Sequence, residues 1–272
     1  MIICDSHVHS DNSFDAKNSV EQLCAAAIEK GMSAITITDH CEADGIRDGD
    51  NCEFGNFEKR IPKSIYETKA CAKKFEGQIK IYTGAEIGQA IYAPNDIGRV
   101  LDLDSVDFVL GSIHNLKGVS DFYYLNYTEE NIPDYLSRYF DTVYELALWN
   151  KFDSLAHLTY PLRYIFERTD YSFNSSDYRE KTDAIFKTLI KNEKALEINT
   201  SGLRKEMNRT LPDVNEIYRY RQLGGKYITI GSDAHNTEDL GKGIEAAAQT
   251  AKECGFKQYY VYENHRPRAV EL

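Results

Sequence analysis

The side chains of this chain that could do chemistry are imidazoles and carboxylates, and they recur where short apolar runs end. His7 and His9 stand in CDSHVHS, His40 after AITITD, His114 after DFVLGSI, His157 after DSLA and His235 after YITIGSDA. Those are six of the seven histidines. Glu86 in IYTGAEIG and Asp233 in GSDAH hold similar positions. Imidazole and carboxylate together are the donor set of zinc, iron or manganese. A single strand-end His is more often a packing or capping residue than a ligand. Six of them, with two acids in matching places, outweigh that reading.

The spacing sharpens it. His7 and His9 are two apart, and the period of a strand points both to one face, so one ion could take both. Asp233 and His235 repeat the trick, so that one segment could serve two ions. Glu86 has two oxygens and could bridge a pair, with His114 and His157 completing the second ion. His40 remains, with Asp11 or Asp15 as its companion. Ions so held lower the pKa of bound water and make hydroxide available near neutral pH. The six cysteines include no C-x-x-C pair, which opposes a thiolate site. Cys4, Cys24 and Cys71 read as small buried hydrophobes, and Cys41 as packing beside His40. His265 in YENHRPR, in a basic tail without acid partners, reads as a surface residue.

The elements that must position these groups alternate along the chain. Strands are expected at Met1–Asp5, Ala34–Thr38, Ile79–Ala85, Phe108–Ser112, Ser154–Ala156, Ala195–Asn199 and Tyr227–Gly231. A helix opens at Ser19, where Gln22 makes a capping box, and stops at Gly31. Further helices are expected at Ile65–Phe75, near Asp96–Leu101, and at Ile132–Trp149, Tyr178–Asn192, Val214–Leu223 and Glu238–Cys254. Tyr259–Tyr262 is a trailing strand. Two long loops, Cys41–Asn56 and Thr159–Asn174, follow His40 and His157. Seven βα units argue an α/β fold with a parallel sheet and right-handed crossovers, an incomplete or distorted barrel. In such a barrel the strand ends open on one face, where distant residues meet. No linker or repeat divides residues 1–272, so one domain is expected.

Composition bounds the partners. Lys and Arg number 32 against 43 Asp and Glu, a net charge of −11. That opposes a nucleic-acid binder, which wants a basic face. No apolar stretch approaches 18 residues and no signal segment opens the chain, so a cytoplasmic protein with no membrane contact is expected. The oligomeric state is not legible.

Taken together, D-S-H-V-H-S at 5–10, T-D-H at 38–40, G-A-E at 84–86, S-I-H at 112–114, A-H at 156–157 and G-S-D-A-H at 231–235 resemble the PHP-domain phosphoesterase superfamily, in its motif order. The resemblance implies a distorted (β/α)7, TIM-like barrel with two to three divalent ions, zinc or else iron or manganese. It assigns His7, His9, Glu86 and Asp233 to a first ion. Glu86, His114 and His157 would take a second, and Asp15, His40 and His235 a third. Many members have a His where this chain has Asp15. N-T-S-G-L-R at 199–204 and P-L-R at 161–163 make the chain similar to the stand-alone histidinol-phosphate phosphatases. The expected reaction is hydrolysis of L-histidinol phosphate by in-line attack of a metal-bridging hydroxide, in histidine biosynthesis.

For that reaction Arg163 and Arg204 are expected to grip the phosphoryl oxygens, since a fork of N–H donors matches them. Glu42 is expected to face the substrate's amine and imidazole. Glu86, Asp233 and His235 are the expected catalytic groups, with Asp233 or His235 as the proton donor to the leaving alcohol. The alternatives are a related enzyme acting on another small phosphate or nucleotide, and an amidohydrolase-type barrel. The latter would want a bridging Lys where Glu86 stands.

Overall fold

The computed structural model describes residues 3–48 and 56–272. Its frame is a ring of parallel strands: β1 (Cys4–Val8), β2 (Ala34–Ile37), β4 (Lys80–Gly88), β5 (Phe108–Ser112), β6 (Ser154–Leu155), β7 (Ala195–Asn199) and β8 (Ile228–Gly231), adjacent in that order. A short β3 (His40–Glu42) continues beyond β2 and pairs with the far half of β4, His40 opposite Glu86. The ring closes where the chain after β8 meets β1. There Val8 bridges Ala234, the His9 N–H donates to the Ala234 carbonyl (2.9 Å) and the Asp233 N–H to that of His7 (2.8 Å).

Helices pack the outside. They are α1 (Val20–Glu29), α2 (Ala43–Asp48), α3 (Phe57–Lys74), α4 (Ile132–Trp149), α5 (Leu162–Arg168), α6 (Arg179–Lys191), α7 (Val214–Gln222) and α8 (Ile244–Glu253). The capping box at Ser19 and Gln22 opens α1 as expected. Pleat alternation sorts the strands: Val8 joins the apolar cluster under α1, and Ala85 and Ile87 join the outer core. Their neighbours His7, His9 and Glu86 therefore face the interior. Five cysteines, Cys4, Cys24, Cys41, Cys71 and Cys254, are buried and free. Among the described residues no helix is long and apolar enough to cross a membrane.

Several expectations need correction. β1 and β4 run three residues past their expected ends, so His7 and Glu86 lie within strands. α3 starts at Phe57, not Ile65. Pro62 sits inside it, and a Pro reads as a helix break. The expected loop 41–56 begins with β3 and α2, and its residues 49–55 lie outside the described residues. The loop 159–174 contains α5. α8 begins at Ile244 because Gly243 (φ 81°) holds a left-handed turn before it.

The basic tail is a strand. β9 (Gln258–Glu263) and β10 (Arg266–Glu271) form an antiparallel hairpin against the strand starts, where the Cys4 N–H donates to the Tyr259 hydroxyl (3.2 Å). Asn264 and His265 turn it with positive φ, as a two-residue hairpin requires. His265 is not a free surface residue. Its Nδ1 lies 2.8 Å from Asp153 Oδ2 and its Nε2 2.8 Å from the Leu103 carbonyl. The long-range partner Asp153, at 112 residues' separation, is invisible to local reading.

Candidate metal centre

All nine residues expected to hold ions come together at the strand-end face. His7 Nε2 and His9 Nε2 are 3.0 Å apart, and Asp233 Oδ1 is 3.7 and 3.4 Å from them. Glu86 Oε2 lies 3.5 and 3.6 Å from the same nitrogens. Its other oxygen, Oε1, lies 3.1 Å from His114 Nε2 and 2.8 Å from His157 Nε2. One carboxylate thus faces two sets of imidazoles, because β4 sits between β2 and β5. Asp15 Oδ2 is 3.2 Å from His235 Nε2, and Asp15 Oδ1 is 3.7 Å from His40 Nε2. Asp11 is exposed. Among the described residues, four ligand triplets have donor atoms within 4.8 Å of one another: His9, His40 and His235; His7, His9 and Asp233; His7, Glu86 and His157; His40, Glu42 and His114.

The donor set fits bound cations. Glu86 Oε2 and His40 Nδ1 are buried without a hydrogen-bond partner. Glu86 Oε2 and His40 Nδ1 approach to 2.9 Å, yet neither bonds the other in good geometry. Buried polar atoms left so are costly unless something charged completes them. Burial pushes the Glu86 carboxyl up, but the surrounding His114, His7 and His157 outweigh it and hold it well below the ordinary range. Burial and the neighbouring His40 and His235 push His9 well below the ordinary imidazole value, whereas the surrounding carboxylates outweigh burial and raise His7, His40 and His114. A neutral imidazole and an ionised carboxylate are the forms that ligate.

Beside the cup opens a cavity of about 610 Å³, whose lining includes Arg163, Arg204, Lys205, Lys242, Asp233 and His235. Asp239 also lines it, so four cationic side chains stand against two carboxylates there. Arg163, on α5, donates from Nη2 to Asp233 Oδ2 (2.6 Å) and stacks on Tyr160, 5.2 Å from the ring centre. Its Nε has no partner. Burial alone would raise the Asp233 carboxyl, but Arg163, His7 and His9 hold it well below the ordinary range. Arg204 donates to the main-chain carbonyls of Ser232 (2.8 Å) and Asp233 (3.3 Å). Asp233 itself has φ 56°, a strained value for a non-glycine residue and one that clusters at functional sites.

Glu42 lies at the cup. Period two along β3 puts it on the face of His40, and its Oε1 is 3.1 Å from His114 Nδ1 and 3.4 Å from His40 Nδ1. These imidazoles overcome burial and bring its carboxyl down to about 2.

Sequence reading missed the layer behind the cup. Asp39 accepts from the Ser10 N–H and the hydroxyls of Ser10 and Ser13, each at 2.7 Å. Ser13 Oγ in turn lies 3.2 Å from His9 Nδ1. Glu197 in β7 is 2.8 Å from His7 Nδ1. Tyr160 packs its ring 5.0 Å from His114 and 4.9 Å from His157. A signal for Glu197 exists, since Glu197 and Asn199 alternate with apolar residues in ALEIN and so share the inner face.

Residues 5–201 match the PHP domain family. This chain belongs to that family. The match ends before Asp233 and His235, which the closure of the PHP barrel returns to the cup. A probable histidinol-phosphatase of Thermotoga maritima is 32% identical over 269 residues, covering 98% of this chain and 99% of the relative. The histidinol-phosphatase of Lactococcus lactis subsp. lactis is 29% identical, with 93% and 92% covered. A crystal structure of the histidinol phosphate phosphatase from L. lactis, complexed with zinc, L-histidinol and phosphate, has a TM-score of 0.80. It is 27% identical and covers 98% of both chains.

Proposed function

We propose that this PHP protein is a metal-dependent phosphomonoesterase that hydrolyses L-histidinol phosphate to L-histidinol and phosphate in histidine biosynthesis. One observation carries the reading: a buried cup of imidazoles and carboxylates opens into a cavity lined by two arginines and two lysines. The L. lactis phosphatase, crystallised with zinc, L-histidinol and phosphate, supports the substrate.

In this reading the ligands are His7, His9, Glu86 and Asp233 for a first ion, and Glu86, His114 and His157 for a second. Asp15, His40 and His235 would hold a third. Zinc fits these donors, as do iron and manganese. Divalent ions held there would supply positive charge to the phosphoryl oxygens and lower the pKa of a bound water, so that hydroxide is available near neutral pH. Arg163 and Arg204 orient the phosphoryl group and neutralise charge as it spreads over the oxygens. His235, shared by cup and cavity, is the proton donor for the leaving alkoxide, since Arg163 and the imidazoles keep Asp233 ionised. Glu42, which pairs with His114 and His40, is the acid for the substrate's amine and imidazole. An enzyme of amino-acid biosynthesis of this kind would work in the cytoplasm.

Steady-state kinetics with L-histidinol phosphate against a dozen small phosphomonoesters and nucleotides tests the substrate. A kcat/KM for histidinol phosphate at least tenfold above the others is expected. A nucleotide or sugar phosphate ahead of it would leave the metal chemistry standing and overturn the substrate.

A further inference from the structure

Glu197 is a fully buried carboxylate that none of the ion groups above contains. Its Oε1 lies 2.8 Å from His7 Nδ1. Its Oε2 accepts from the main-chain N–H of His157 (2.8 Å) and from Asn199 Nδ2 (3.1 Å). His7 groups with His9 and Asp233, and His157 with Glu86. One carboxylate therefore reaches behind two neighbouring subsites.

We propose that Glu197 is a positioning residue: it locks His7 in the tautomer that leaves Nε2 free to bind an ion, and it ties that choice to the backbone of His157. The proposal rests on the reading of His7 as a ligand.

The argument is one of donors and acceptors. A main-chain N–H only donates, and so does an Asn amide nitrogen, so Oε2 must accept. An imidazole that ligates an ion is neutral and carries one N–H. An ionised carboxylate can only accept, so Oε1 requires that proton at Nδ1. Nε2 is then left with its lone pair, aimed at the cup. The ring has little room to turn away: Gly231 packs so closely that a Cβ there would overlap both the His7 Cβ and Glu197 Oε1. His157, at φ 20°, sits at the edge of left-handed backbone, and its N–H bond to Glu197 holds it there.

Gln would keep the shape and reverse the logic. Its oxygen must stay on the His157 N–H and Asn199, which turns its NH₂ onto His7 Nδ1. Nδ1 must then accept, and the imidazole proton moves to Nε2, which can no longer ligate. Asp keeps two acceptors but is one methylene short.

The test measures zinc affinity in the full chain by competition with a chromophoric chelator, for wild type, Glu197→Asp and Glu197→Gln. Melting temperatures of the metal-free proteins are the control. Gln should weaken the tightest site roughly 10- to 100-fold, the range for losing a partner of a ligating histidine. Asp should fall between Gln and wild type. A space-filling role predicts the reverse order, because Gln is isosteric and Asp is not. Gln binding zinc as well as Asp or better would overturn the proposal. So would unchanged affinity in Asp, which keeps the test decisive should Gln not fold. A wild type that binds no zinc would instead overturn the metal reading itself.

Discussion

At the scale of single residues, each functional group acts through partners that come from other strands. Glu86 serves as the hub because its two oxygens face different imidazoles. Glu86→Gln keeps the shape and removes the charge. Turnover should fall by at least ~10²-fold, as for loss of an organising catalytic group, and elemental analysis should show lost metal. Near-normal turnover with full metal would remove Glu86 from the bridging role. The arginines make a second case. Lys cannot reproduce the guanidinium fork. Arg204→Lys and Arg163→Lys should each cost about 1.5–3 kcal/mol in kcat/KM for histidinol phosphate, the range of charge-assisted hydrogen bonds. Arg204 contacts main-chain carbonyls at the cavity wall, so its variant should keep wild-type metal content. Arg163 also contacts Asp233, so its variant should lower metal affinity as well. If both are only rim contacts, kinetics will stay within twofold of wild type.

At the scale of elements, the hairpin β9–β10 shows how a peripheral piece is fastened. The side-chain hydrogen bond to Asp153 overcomes partial burial and raises the pKa of His265. A group whose folded pKa is raised adds stability below its unfolded value, ordinarily about 6.5, and loses it as pH climbs through the folded value. The His265 side chain is 31% exposed, so solvent screens part of the pairing. Denaturant melts of wild type and His265→Gln should differ by about 0.5–1 kcal/mol near pH 6. The difference should shrink toward pH 9. A difference that stays constant or grows with pH would mean the charged pair contributes nothing. Activity should be unchanged, since the hairpin lies against the strand starts and the cup against their ends.

At the scale of the whole molecule, the ions and the fold are linked. Ions that bind the folded cup and not the unfolded chain stabilise it by mass action, by about 2.7 kcal/mol at a hundred times the dissociation constant. Chelation should therefore lower the melting temperature and abolish turnover together. Adding back zinc or manganese should restore both. Full activity in excess chelator, with less than one equivalent of metal bound, would end the metal reading.

The sequence by itself determined the parts of this protein that depend on local chemistry. Alternating apolar runs and a capped helix were enough for a parallel α/β barrel, and β5, β7 and α4 lie where the spacing puts them. The imidazoles and carboxylates of the cup were legible because strand period and residue type alone select them. The two arginines were legible as neighbours of that cup. Pro62 hid the first half of α3, and the hairpin looked like a tail because its partners are remote in sequence. Only the tertiary structure decided which group stands behind which. Glu42 faces His114, Glu197 faces His7, and Arg163 meets Asp233, at separations of 72, 190 and 70 residues. The physical reason is that a closed barrel brings strand ends together by their order around the ring. Val8 meets Ala234 only once the last strand has come round to the first.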